Sequence, residues 1–192
     1  ASEQDYTIHI VGTYTVASST EINITNNSDT NNPIKLVKTA TQTNPTVTAK
    51  SITIEGVTDI SNPPKISGAN TYRCLSIATE VPVIISNISI INGYFNGNSY
   101  GAAITIDTLN GPRKSDVTLS TGAIIQNNSG TRAGAIYNFG TLTIVGAEIS
   151  DNSATDASYG RGGAIRNEGG IVNIYGDTTG IGAAGNYTTG PA

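Results

Sequence analysis

Short runs in which every second residue is apolar recur along the whole chain. Tyr6-Thr7-Ile8-His9-Ile10 and Glu21-Ile22-Asn23-Ile24-Thr25 show this alternation near the start, and Thr141-Leu142-Thr143-Ile144 shows it again in the second half. A period of two residues is typical of a strand with one buried face. Ile, Val and Thr fill most of these positions, and β-branched side chains fit a pleated surface better than a helix. The pattern predicts an all-β protein built from many short strands.

These strand-like runs belong to a longer repeat. A Gly-Ala-Ile phrase recurs at residues 101–104, 122–124, 134–136 and 162–165, and three strand types follow one another in a fixed cyclic order. A unit of about 24 to 32 residues that cannot bury its own inward side chains is typical of a solenoid. We predict a single-stranded, right-handed parallel β-helix of about six coils with three short strands each. An antiparallel sandwich is the structural alternative, but it does not impose a cyclic order of phrases.

The repeat indicates one β-helix domain over residues 1–192, with irregular coils in 1–70 and regular coils in 71–186. Stacking in register predicts ladders of identical side chains along the coils. The predicted inward ladders are Ile104, Ile136 and Ile165, then Leu119, Ile144 and Ile174, then Ile125 and Ile149. Two further ladders pair Asn128 with Asn152 and Asn138 with Asn167, because Asn suits a turn repeated in every coil.

Four longer loops interrupt the repeat, at residues 92–100, 109–115, 129–132 and 153–161, and we expect them to cluster on one side. Loops on a rigid scaffold are common recognition sites. The predicted binding patch consists of Tyr94, Phe95, Tyr100, Tyr159 and Arg161. A second set, Thr105, Tyr137 and Arg166, follows the inward Ile residues and is predicted to form an outward stripe. The stripe is either a solvated strand face or a contact surface.

The composition of the chain argues against several classes of function. Charged residues make up 12% of the chain and the net charge is −4, so no basic excess exists to bind nucleic acid. No apolar stretch approaches the roughly 20 residues of a membrane helix, so we expect no membrane insertion. Cys74 is the only cysteine and His9 the only histidine. We interpret Cys74 as a packing residue and predict neither a metal site nor a cofactor.

Residues 95–99 (Phe-Asn-Gly-Asn-Ser) precede Gly101-Ala102-Ala103-Ile104, and residues 149–153 similarly precede Gly162-Gly163-Ala164-Ile165. These pairs resemble the Phe-x-x-Asn and Gly-Gly-Ala-Ile motifs of chlamydial polymorphic outer-membrane proteins and of related bacterial and archaeal surface proteins with β-helix repeats. The resemblance implies an adhesin-like or structural passenger domain at the cell surface or outside the cell, with its signal sequence removed. The implied partner is a surface protein or glycan of a host or neighbouring cell, and we expect a monomer.

Two other functions fit a β-helix. A polysaccharide-active enzyme of the pectate-lyase type needs clustered carboxylates, and Glu148, Asp151 and Asp156 are the acids closest in sequence. An ice-binding solenoid needs one Thr position repeated in every coil, whereas Thr105 is replaced by Tyr137 and then by Arg166. We therefore predict a binding module without catalysis, and keep a pure spacer as its rival.

Overall fold

A computed structural model describes residues 4–15, 22–25, 49–57, 63–97, 100–108, 114–158, 160–176 and 187–188. Every regular element in these ranges is a β-strand. The strands are β1 (Gln4–Val11), β2 (Thr13–Thr15), β3 (Ile22–Thr25), β4 (Ala49–Val57), β5 (Lys65–Ser67), β6 (Leu75–Ala78), β7 (Val83–Ser86), β8 (Ser89–Ile91), β9 (Tyr94–Phe95), β10 (Ile104–Ile106), β11 (Asp116–Leu119), β12 (Ile124–Gln126), β13 (Ser129–Gly130), β14 (Ile136–Asn138), β15 (Thr141–Val145), β16 (Glu148–Ser150), β17 (Ser153–Ala154), β18 (Ile165–Asn167), β19 (Ile171–Tyr175) and β20 (Tyr187–Thr188).

The strands form four parallel sheets. Sheet I has the order β1-β4-β7-β11-β15-β19, sheet II β2-β5-β8-β12-β16, sheet III β9-β13-β17-β20 and sheet IV β3-β6-β10-β14-β18. Along the chain the strands visit sheets I, II and IV in coils one and two and sheets I, II, III and IV in coils three to five, and each return adds one strand beside the previous one. The prediction of an all-β chain with stacked parallel strands is confirmed, and the arrangement is consistent with a β-helix.

The predicted number of strands in each coil is wrong for the regular part. Coils three to five each have four strands, because the two-residue strands β9, β13 and β17 form sheet III between sheets II and IV. A two-residue strand is too short to show alternation, so the sequence pattern does not reveal it.

Left-handed backbone at equivalent corners turns the chain from one sheet to the next. Gly12, Asn87, Gly122 and Gly146 have positive φ where sheet I leads into sheet II, and Gly176 has positive φ directly after β19 of sheet I. Between sheets II and III the corresponding residues are Asn92, Asn127 and Asp151. Gly, Asn and Asp tolerate this conformation best, which explains why they recur at these positions.

The predicted inward ladders pair in register. Ile104, Ile136 and Ile165 lie side by side in sheet IV, Leu119, Ile144 and Ile174 in sheet I, and Ile125 and Ile149 in sheet II. All of these are fully buried except Ile165, which is half-buried, and Ile174, which is 50% exposed on the last described strand of sheet I. The core is therefore a column of Ile, Leu and Val side chains enclosed by the sheets.

The predicted asparagine ladders are also confirmed. Asn128 and Asn152 are buried, and the Asn128 side-chain amide donates to the Asn152 Oδ1 at 2.9 Å. Each also donates to a backbone carbonyl of the preceding coil, Ile90 for Asn128 and Ile125 for Asn152. The Asn138 amide likewise donates to the Asn167 Oδ1 at 2.9 Å. These amides satisfy backbone groups at the corners where the strands end.

One of the four Gly-Ala-Ile phrases is not part of the repeat. Residues 101–104, 134–136 and 162–165 occupy equivalent places before sheet IV, whereas 122–124 lies at the corner between sheets I and II. Both places need small residues, because a Cβ at Gly122 would overlap the Asn87 Oδ1 of the preceding coil. A side chain at Gly134 would likewise overlap the Gly163 carbonyl oxygen of the next coil.

Cys74 occupies the alanine position of this phrase. Leu75 pairs with Ile104, and the Cys74 amide donates to the Ala102 carbonyl, so Cys74 lies beside Ala103. The thiol is fully buried, and burial raises its pKa to about 12, opposed in part by a backbone hydrogen bond at Gly68. This confirms the interpretation of Cys74 as a packing residue.

Candidate functional site

The longer connections of the regular coils leave the stack between sheets III and IV. Residues 96–103, 131–135 and 155–164 join these two sheets in coils three, four and five, and residues 68–74 lead to sheet IV in coil two. Three of the four predicted loops therefore lie at one edge. Most of the fourth, residues 109–113, lies outside the described residues; Thr108 and Lys114, which flank it, form an antiparallel bridge between β10 of sheet IV and β11 of sheet I.

Four successive coils place a large polar or aromatic residue at this edge. They are Arg73, Tyr100, Arg132 and Arg161, and we call this row the arginine edge. The bridge from Gly101 to Ala133 sets Tyr100 beside Arg132. The Arg161 amide donates to the Arg132 carbonyl at 3.0 Å, which joins the next pair of coils. Neighbouring residues of the row are thus about one strand spacing, roughly 4.8 Å, apart along the stack.

Arg73 is held between two aromatic rings. Its guanidinium carbon lies 4.3 Å from the ring centroid of Tyr100 and 4.7 Å from that of Phe95. The two rings meet edge to face with centroids 5.4 Å apart. A guanidinium over aromatic faces is attracted by the ring quadrupole, and the stacking fixes its orientation. Arg73 is the residue that the sequence reasoning missed.

A signal for Arg73 was present in the sequence. Arg132 and Arg161 each directly precede the phrase that enters sheet IV, and Arg73 precedes Cys74-Leu75, the less regular copy of that phrase. Because Cys replaces Ala and Leu replaces Ile there, the recurrence of arginine is visible only once the coils are aligned.

The predicted binding patch is only partly brought together. Phe95 and Tyr100 lie in contact, and Tyr94, 39% exposed, begins the same two-residue strand as Phe95. The Tyr94 amide donates to the Tyr72 carbonyl at 2.9 Å, which joins this strand to coil two. Arg161 is exposed at the same edge but two coils away. Tyr159 lies outside the described residues.

The predicted outward stripe is in register but is not a solvated face. Thr105 pairs with Tyr137, and Tyr137 with Arg166. Thr105 is fully buried, its hydroxyl accepting from the Gly101 amide at 3.2 Å, and Tyr137 is only 4% exposed. The prediction of outward exposure is therefore wrong for these two residues, because the connection from sheet III folds back over this face of sheet IV. Arg166 keeps 13% of its side-chain surface exposed.

Tyr137 links this stripe electrostatically to the arginine edge. Its ring lies 4.9 Å from that of Phe139 and 5.3 Å from the Arg166 guanidinium. Burial raises the pKa of the Tyr137 hydroxyl; the nearby positive charges of Arg166 and Arg132 oppose that shift, and the carboxylate of Glu168 adds to it. Arg166 also forms an ion pair with Glu168 at 2.8 Å.

The three acids considered for catalysis lie in three different parts of coil five. Glu148 lies in sheet II and accepts from the Ser150 hydroxyl at 2.8 Å, Asp151 forms the corner between sheets II and III, and Asp156 lies in the connection towards sheet IV. Within the described ranges, no group of three His, Cys, Asp or Glu residues is placed to hold a metal ion. The same ranges contain no helix long and apolar enough to cross a bilayer.

Comparison of the chain with protein-family models, with curated proteins and with solved structures gives no match.

Proposed function

We propose that this chain is a right-handed parallel β-helix that acts outside the cell or at its surface as a non-catalytic binding module. The observation that carries the proposal is the Arg73–Phe95–Tyr100 cluster, a rigid group of a cation and two rings at the edge where the connections leave the stack. The right-handed sense follows from the strong preference of connections between parallel strands.

The contrast between core and edge supports binding at this position. Stacking constrains the inward ladders, so residues free to serve a partner are found where the chain leaves the stack. Tyr and Arg are favoured in contact surfaces, since each combines a large apolar area with polar groups at its tip. The exposed Tyr94 lies next to the cluster and enlarges the contact area.

Attachment of beads carrying the domain to partner cells tests the proposal. Replacing Tyr94 and Tyr100 together by Ala should weaken attachment about tenfold or more, because aromatic anchors dominate binding energy. Tyr175→Ala is the matched control, since Tyr175 is 57% exposed on sheet I, away from the edge. Equal loss in both variants would contradict a site at the arginine edge. Absence of saturable attachment by the wild type would favour a spacer.

Release of reducing or unsaturated sugars from a polysaccharide panel would overturn the non-catalytic part of the proposal. Loss of that release in Asp151→Asn would then assign the activity to the carboxylates near β16.

Sheet I supports a second candidate function, ice binding, in part, because one Thr position recurs there in four of six coils. Thr7, Thr53, Thr118 and Thr143 occupy one outward row, interrupted by Ile84 in coil three and Asn173 in coil six. All six side chains of the row are at least partly exposed. Inhibition of ice recrystallisation that is lost in Thr143→Lys would establish this function, and wild-type protein without such inhibition would eliminate it.

A further inference from the structure

We infer that the ligand of the arginine edge is an acidic polysaccharide, one whose sugar rings carry carboxylate or sulfate groups. This inference rests on the proposed binding function. It starts from the distribution of charge, because the four arginines that the structure describes, Arg73, Arg132, Arg161 and Arg166, all lie at the edge or in the adjoining sheet IV. Of the three described lysines, Lys50 and Lys65 lie in sheets I and II, and Lys114 lies between sheets IV and I, where its ammonium donates to the Gly169 carbonyl.

Five of the nine carboxylates that the structure describes lie on the other side of the stack. Asp5, Glu55 and Asp116 belong to sheet I, Glu148 to sheet II and Asp151 to the corner that follows it. The protein as a whole has a net charge of −4, so a locally basic edge is a departure from its average. An anionic partner would be attracted to this edge and repelled by sheets I and II.

An acidic sugar has an anionic group and an apolar ring face, and the residue types at the edge match both features. The planar guanidinium donates two parallel hydrogen bonds to a carboxylate or sulfate group, which the ammonium of lysine cannot do in the same geometry. The exposed Tyr94, next to the Arg73–Phe95–Tyr100 cluster, supplies aromatic surface for the apolar face of a sugar ring. Arg161 is exposed, so its side chain is accessible to such a group.

The arrangement in a row favours a polymer over a single small anion. Arg132 and Arg161 lie on adjacent coils whose backbones are hydrogen-bonded, and Tyr100 and Arg73 extend the row by two coils. A row repeated at the strand spacing suits a ligand that itself repeats. Each unit of the ligand would then meet an equivalent position on the next coil.

The row also disfavours nucleic acid as the occupant. Duplex DNA carries a negative charge about every 1.7 Å, and binding it requires many cations across a broad surface. The arginine edge is one row of residues, and two carboxylates lie near it: the Asp156 amide donates to the carbonyl of Thr131, which precedes Arg132, and Glu168 pairs with Arg166 of sheet IV. A polysaccharide with one or two charges on each sugar avoids most of that repulsion.

The test measures binding of the whole chain to polygalacturonate, hyaluronan and chondroitin sulfate, with neutral dextran and duplex DNA as comparison polymers. We expect at least one acidic polysaccharide to bind, and its affinity to fall steeply between about 0.05 M and about 0.5 M salt. Arg161→Gln should weaken binding about tenfold, since it removes charge-assisted hydrogen bonds. Lys50→Gln, at an exposed lysine of sheet I, is the matched control and should leave the affinity unchanged.

The outcomes separate this inference from the function on which it rests. Attachment to cells without binding to any acidic polysaccharide would overturn the inference and leave the binding module standing. Equal binding of dextran, tighter binding of DNA, or an equal effect of Lys50→Gln and Arg161→Gln would also overturn it. Failure to attach to cells and to every polymer would overturn both proposals.

Discussion

Strands β15 and β19 are neighbours in sheet I with the same alternation but very different burial. Leu142 and Ile144 of β15 are fully buried, whereas their partners in β19, Val172 and Ile174, are half-buried and 50% exposed. Sheet IV shows the same contrast between Ile136, which is fully buried, and Ile165 of the following coil.

The difference shows that burial in this molecule depends on the coils above and below a strand. An inward side chain of β15 packs against β11 on one side and β19 on the other. Among the described strands of sheet I, β19 comes last, so its inward side chains have a described neighbouring strand on one side only. The same inward residue therefore contributes a different amount to the free energy of unfolding in different coils.

The largest expected effect on stability comes from introducing a charge, in separate variants, at two positions that pair between β15 and β19. Ile144→Asp should unfold the domain, because an unpaired buried carboxylate costs several kcal/mol and a typical domain is stable by about 5–15 kcal/mol. Ile174→Asp should cost about 1 kcal/mol or less, since half of that side chain already meets water. Urea unfolding followed by circular dichroism measures both. Similar losses at the two positions would contradict the contrast between β15 and β19.

Removing an asparagine side chain should also destabilise the domain by different amounts in the two ladders, and this difference should be smaller than that between the two Ile→Asp variants. Asn128→Ala should destabilise the domain by about 3 kcal/mol, because it leaves the buried Gly93 amide and Ile90 carbonyl without their side-chain partners. Asn167→Ala should cost about 1 kcal/mol, since Asn167 is exposed and water can replace its bonds. Equal unfolding midpoints for these variants would show that the buried amides contribute no more than exposed ones.

The smallest expected effect concerns Cys74 and depends on pH. Its thiol pKa is about 12 in the folded chain against an ordinary value of 9.0, so between these values the folded state binds more protons than the unfolded state. The corresponding stability is fully present below about pH 9 and is lost as pH rises towards about 12. By about pH 10 the loss should be about 1 kcal/mol.

Cys74→Ala removes this dependence and introduces the residue that Ala103 and Ala135 supply in the next coils. The free energy of unfolding of the wild type should therefore fall more than that of the variant between about pH 8 and about pH 10. Parallel pH profiles for the two proteins would contradict deep burial of the thiol. The two proteins differ only at residue 74, so every other residue contributes alike to both profiles.

Much of the stacking could be predicted because it follows from local pattern. Alternating Ile, Val and Thr predicted the strands, and the 29-residue match between 133–138 and 162–167 predicted the register of β14 with β18. Asn128 and Asn152 were paired correctly for the same reason, since identical positions in successive coils must lie side by side.

The sequence predictions were wrong where the surroundings of a side chain depend on a segment from another part of the coil or from another coil. The exposure of Thr105 and Tyr137 could not be inferred from their own strands, because the chain entering sheet IV covers them. That Thr108 and Lys114 pair between sheets IV and I could be predicted only by counting the corners of a coil, and the two-residue strands of sheet III are too short to show alternation. Arg73 joined the site only through its contacts with rings that follow it by more than twenty residues.

The sequence by itself determined the class of fold, the inward ladders and the amides that close the corners, because a repeating chain can bury its apolar residues only by stacking like on like. The tertiary structure alone decided which equivalent residues are enclosed and which meet solvent, and it brought Arg73, Tyr100, Arg132 and Arg161 into one row. The physical reason is that alternation reports only the direction of a side chain. Burial and charge clustering depend on which parts of the other coils lie against it.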